Sequence, residues 1–179
     1  MSNFPFVDDR ILQNNLDLAF VHVVDLLALS ESQSYENKKT LVSSLRKTII
    51  IHTASIIEAL LLWKFRNVCN GKSVVLIDEW KYLNIRVIYP ISDSEEVISG
   101  FRKKEERNLS KLDFVRVTDL CFKYKIVKSA KLKIEIDNVR ELRNRLHLGG
   151  LAEMEREYSK NDLEFCFSVA KKVKKLVAK

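Results

Sequence analysis

Glycine and proline are scarce in this 179-residue chain, with four Gly and two Pro in all. That excludes a collagen-like, low-complexity or turn-dense all-β protein. None of either falls between Phe6 and Asn70, which leaves room for long uninterrupted helices. Cysteine is also sparse. Cys69, Cys121 and Cys166 are odd in number and lack metal-ligand spacing, so reduced, buried thiols are expected rather than a disulfide framework. The most apolar stretches, Thr48–Ile51 and Ala59–Trp63, fall far short of the ~20 residues of a membrane span, so no membrane partner is expected. Residues 1–9 lack the basic stretch of a secretory leader, and a cytoplasmic protein is the expectation.

Against these absences stand an apolar fraction of 46%, enough for a sizeable core, and a lopsided charge. Residues 1–100 carry 10 basic and 12 acidic side chains, whereas residues 101–179 carry 21 and 12, a local net of +9. Five lysines, Lys171, Lys172, Lys174, Lys175 and Lys179, crowd the last nine positions. Such a basic half suits a polyanion, and Lys171, Lys172, Lys174 and Lys175 are the expected nucleic-acid contacts.

The periodicity predicts a mainly α protein: a bundle of about five helices with a small β-hairpin insertion at about 72–107. A first helix runs from a cap at Asp8 or Asp9 to about Leu29, with Leu12, Leu16, Ala19 and Val23 on one face. A second, from about Asn37 to Asn67, has so broad an apolar arc that it belongs at the centre of the core. Leu83, Ile85, Val87 and Tyr89 then alternate with Asn84, Arg86 and Ile88, a strand pattern, and 95–101 reads as the returning strand. Ser110 and Ser129 are the expected caps of helices ending near Ile126 and Leu148. Gly149-Gly150 closes the latter, and a last helix spans about 162–178.

The segment that carries chemistry is Val139-Arg-Glu-Leu-Arg-Asn-Arg-Leu-His147. On a helix, Arg140, Arg143, Asn144 and His147 share one face, while Leu142 and Leu146 are available to anchor it. Histidine transfers protons near neutral pH, and arginine offers a forked donor matched to phosphate oxygens. This set suits cleavage of RNA by its own 2′-hydroxyl, with no metal and no cofactor required. His22 and His52 lie among apolar neighbours and read as core histidines. Glu58, flanked by Ala54, Leu61 and Leu62, needs a partner if buried, and Arg140 or Arg143 is the expected one.

Arg140–His147 resembles the motif of HEPN domains, in which an Arg precedes a His by four to six residues. The long apolar helix with an internal Glu, His52–Leu61, is similar to theirs as well. The spacing of Arg143 to His147 is one residue shorter than the commonest form of that motif. The resemblance implies an all-α core over about 8–69 and 110–178, with one domain spanning 1–179. It also implies a metal-independent endoribonuclease of a toxin–antitoxin or antiviral defence system, acting on RNA as a homodimer and restrained by an antitoxin or other regulatory protein. Catalysis would fall to Arg140, Arg143, Asn144 and His147, supported by Glu58. The alternative is a non-catalytic HEPN-like module binding nucleic acid, nucleotide or a partner protein.

Overall fold

Asp9 turns the extended N-terminal segment into the first helix: its carboxylate accepts from the N–H groups of Ile11 and Leu12, both at 3.0 Å. This satisfies donors that no helical carbonyl can reach. Asp8, next to it, instead accepts from the indole N–H of Trp63 at 2.8 Å. The computed structural model describes residues 1–69, 79–105, 112–145 and 157–179, with only the backbone described at 79–81 and 104–105. The protein is mainly helical, with one small antiparallel sheet, and divides into two compact units. One comprises residues 1–68 and 113–179, and the other is 69–112.

Among the described residues the helical unit holds five helices: α1 (Arg10–Ser30), α2 (Lys39–Val68), α3 (Phe114–Lys123), α4 (Ala130–Asn144) and α5 (Lys160–Val177). A single 3-10 turn, Gln33–Tyr35, joins the first two. As its broad apolar arc predicts, α2 is central and packs against all four others. Ile49, Ile50, Ala54, Ile57, Leu61 and Phe65 are buried along it. By length and composition α1 and α2 are each apolar enough to cross a membrane. In this fold α2 commits most of its apolar side chains to the core, leaving Leu41 and Val68 exposed at its ends, whereas α1 exposes Ile11, Leu18, Val21, Val24 and Leu29.

The later helix ends depart from the sequence expectation for local reasons. Asp113, not Ser110, caps α3 by accepting from the Arg116 N–H at 2.8 Å; Ser110 lies outside the described residues. The helix stops at Lys123, before Ile126, because Lys125 adopts a left-handed φ of 59°. The Ile126 N–H then bonds back to the Cys121 carbonyl at 2.9 Å and the Lys125 N–H to that of Phe122 at 3.0 Å, a Schellman closure without glycine. Ser129 caps α4 as expected, through the Leu132 N–H, but the helix ends at Asn144 rather than near Leu148. Gly149-Gly150 lies outside the described residues. Ser159 and Asp162 form a reciprocal capping box that starts α5 two residues ahead of the expected Asp162.

The second unit is a hairpin of β1 (Glu79–Pro90) and β2 (Glu96–Glu105). β1 has 12 residues and β2 has 10, and the difference is taken up by two irregularities in β1, between Leu83 and Arg86 and between Val87 and Tyr89. Asn84 sits in the first with φ 53°. Gly100 lies opposite, where a Cβ would come within 3.0 Å of the Leu83 carbonyl oxygen, a tight approach that any side chain would have to push back. The bulges also overturn the simple alternation expected from sequence. Register places Leu83, Arg86 and Tyr89 opposite Phe101, Ser99 and Val97, all on one face, with Val87 and Ile98 on the other.

Candidate active site

Helix α4 lays Ile136 and Val139 into the core. The same three- and four-residue spacing carries that inward row on to position 143, where the residue is arginine. Arg143 therefore extends toward α2, and its Nη1 donates to Glu58 Oε2 at 2.9 Å. The two side chains are 32% and 22% exposed, so the pair is neither free in solvent nor sealed off. Of the two partners expected for Glu58, it is Arg143 that binds it. Leu142, expected to be the anchor, is only half-buried, and Leu146 lies outside the described residues.

Burial pushes the Glu58 carboxyl above its ordinary value of 4.5; the charge and hydrogen bond of Arg143 pull it back without cancelling that rise, and Asp113 adds repulsion. A carboxyl whose folded pKa is raised binds its proton more tightly when folded. Its contribution to stability is present in full below about pH 4.5 and is lost as pH rises through the folded value. Glu58→Gln, which keeps the neutral shape at every pH, is therefore expected to gain in stability relative to wild type as pH rises from 4 to 7. Urea unfolding across that range measures the difference, and a difference that stays flat or runs the other way would refute it.

Arg140 stands three residues before Arg143 on α4 and is 21% exposed. Its Nε is buried and has no hydrogen-bond partner among the described residues. The Asp137 and Glu141 carboxylates each lie 3.8 Å from its guanidinium, near enough for attraction but beyond hydrogen-bond length. Asp137 is held instead by Lys133 at 3.0 Å, and the same ammonium reaches Asp119 on α3, also at 3.0 Å. These two hydrogen-bonded carboxylates push the Lys133 pKa up. The sequence reading missed this network, although the Lys133–Asp137 spacing of four is a legible signal for an ion pair on a helix. Asn144 is exposed in the last turn of α4. Arg140, Arg143 and Asn144 thus gather at a helix C-terminus, where the unpaired carbonyls favour cations. His147 lies outside the described residues.

The other sequence candidates divide. Lys171 and Lys175 are exposed on α5. Lys172 is paired with Glu135 of α4 at 2.6 Å, and the Lys174 ammonium sits 5.0 Å from the centre of the Phe4 ring. Two of the four expected phosphate contacts are therefore engaged within the fold. His22 and His52 are not core histidines. His22 is exposed and His52 half-buried, and their rings meet edge to face, 5.7 Å apart, on the surface shared by α1 and α2. An exposed first helix accounts for this: the apolar neighbours of His22 in sequence include Val21 and Val24, which face out with it. None of the three thiols is in a disulfide; Cys121 and Cys166 are buried as expected whereas Cys69 is only half-buried, and burial pushes Cys166 up to about 12.

Hollows among the described residues of the helical unit include a polar one of about 540 Å³ near Ser43, Arg46 and Tyr158 and an apolar one of about 360 Å³ near Val24, Thr53 and Phe167. Neither is lined by Glu58, Arg140, Arg143 or Asn144. Among the described residues no three His, Cys, Asp or Glu side chains cluster in a way that could hold a metal ion. Comparison of the chain with protein-family models, curated proteins and solved structures finds no match.

Proposed function

We propose that the protein is a metal-independent endoribonuclease of the HEPN type, acting in a toxin–antitoxin or antiviral defence system. The observation that carries this reading is the pair of arginines on α4. Arg143 is held by Glu58 at 2.9 Å, and beside it Arg140 has a buried Nε without a hydrogen bond among the described residues. A guanidinium fixed by a carboxylate on one side and a neighbour whose nearest carboxylates stand beyond hydrogen-bond length make a preorganised seat for a phosphate whose charge grows in the transition state. In the reaction the 2′-hydroxyl loses its proton to a base and its oxygen attacks the adjacent phosphorus. The bond to the 5′-oxygen breaks as that oxygen takes a proton from an acid. His147 is the proton-transfer group, Arg140 and Arg143 neutralise the phosphate oxygens, and Asn144 contributes an amide donor.

One imidazole cannot serve both sides of the phosphate at once, and His22 and His52 belong to α1 and α2 rather than to the motif helix. A two-fold homodimer supplies the second imidazole by bringing two motif faces together. RNA is the substrate, the setting is cytoplasmic, and a regulatory protein restrains the activity. The test is incubation of the purified chain with RNA in EDTA, followed by analysis of the ends. Fragments ending in a 2′,3′-cyclic phosphate and a 5′-hydroxyl are expected. RNA that is bound but left intact would instead identify a non-catalytic binding module.

A further inference from the structure

The hairpin β1–β2 has no core of its own to explain its side chains. Most of its large apolar residues are exposed, and the bulges sort them unevenly. On one face stand Leu83, Arg86 and Tyr89 from β1 with Val97, Ser99, Phe101 and Lys103 from β2, placed together by the pairs Leu83–Phe101, Arg86–Ser99 and Tyr89–Val97. Tyr89 is 63% exposed and Phe101 62%. Arg86 lies between them along the ladder, and Lys103 beyond Phe101. No carboxylate occurs among these seven residues; the ladder pair Glu79–Glu105 follows two positions beyond Lys103, and Asp93, Glu95 and Glu96 crowd the turn.

We infer that this face is a capture surface for single-stranded RNA, an inference that rests on the ribonuclease reading above. Exposed aromatic rings stack on bases of any sequence, and cations set between them follow the phosphates. Phe101 and Tyr89 are separated by about four residues of strand rise, roughly 13 Å, so each ring takes a different base of an extended strand. Duplex RNA fits poorly, because its bases are already stacked and present no free faces. The bulges create the alternation. In an unbulged β1 the three-residue spacing from Leu83 would put Arg86 on the opposite face, and the cation between the rings would be lost.

The experiment is a fluorescence-anisotropy titration of a labelled, structureless oligoribonucleotide with the full chain, beside a cleavage assay on the same preparations. Tyr89→Leu and Phe101→Leu keep an apolar, strand-compatible side chain but remove the ring. Each is expected to weaken binding at least about fivefold, the low end of what a stacked base contributes. Tyr89→Phe should bind as wild type. Arg86→Gln with Lys103→Gln should weaken binding and lower the salt slope by about 1.4 units, ~0.7 for each cation lost on a single strand. Because these side chains are exposed, thermal unfolding of the helical unit should not change. Unchanged affinity in the leucine variants while the RNA is still cut would overturn the capture surface and leave the ribonuclease standing. Binding that depends on the rings without any cutting would support the surface and refute the ribonuclease. Preference for a duplex of the same sequence, or no binding by wild type, would overturn the surface outright.

Discussion

Replacing His147 by alanine is expected to lower RNA cleavage by ~10²–10⁴-fold, the loss typical of a removed general acid–base group. The expectation follows from the division of labour in the motif. Arginine cannot exchange a proton at neutral pH, and an amide cannot either, so of Arg140, Arg143, Asn144 and His147 only the last can move one. Binding should survive, because the excess of basic side chains in residues 101–179 is unchanged by the substitution. Single-turnover cleavage and RNA affinity, measured on the same preparations, separate the two effects. In a composite dimer an excess of His147→Ala chains should also suppress wild-type activity beyond dilution, since each mixed dimer holds one imidazole. Undiminished cutting by the variant would remove His147 from the mechanism.

The two arginines are expected to part company when each is replaced by alanine. Arg143→Ala should lose activity by ~10²–10³-fold, as removal of one preorganised donor to a developing anion does. It should also lose stability, because Glu58 is left half-buried without its cation, a loss that in sealed interiors reaches 3–5 kcal/mol and here, with side chains 32% and 22% exposed, is expected at roughly 1–2 kcal/mol. Arg140→Ala should lose activity to a similar degree but little stability, since its closest carboxylates stand at 3.8 Å and its buried Nε makes no hydrogen bond among the described residues. Urea unfolding beside single-turnover kinetics distinguishes the outcomes. If Arg143→Ala unfolds easily yet cleaves normally once folded, the Glu58 pair serves the fold alone.

Much of the helical unit was legible from residue spacing. The uninterrupted run from Phe6 to Asn70 announced two long helices, and the breadth of the second one's apolar arc announced its central place. Helix ends were harder to read, because they depend on single backbone angles. A lysine at φ 59° closes α3, and a sequence rule that waits for glycine passes over it. The partnership of Glu58 was foreseen as a need for a cation, yet the choice of Arg143 over Arg140 depends on which arginine continues the inward row of Ile136 and Val139. The surface histidines were misread because apolar neighbours usually mean burial, and α1 keeps several of its apolar residues on the outside. The hairpin faces were misread because an alternating pattern carries no mark of a bulge. Asn84, tolerant of a left-handed φ, and Gly100 across from it were the only hints.

The insertion of a hairpin between α2 and α3 has a kinetic consequence. The helical unit cannot assemble until its two stretches of chain meet across 44 intervening residues, 69–112. Pairing of β1 with β2 brings Glu79 and Glu105 together as ladder partners, so the residues between them no longer count toward the loop to be closed. Since closure entropy grows as (3/2)RT ln n, that shortcut lowers the cost of closing the loop by about 1 kcal/mol. Hairpins form within about 1–10 μs, well ahead of the long-range docking of α3, α4 and α5 onto α2. Because an isolated two-stranded hairpin is marginal in water, this assistance is dynamic: a clasp that opens and shuts many times while the distant helices search for each other.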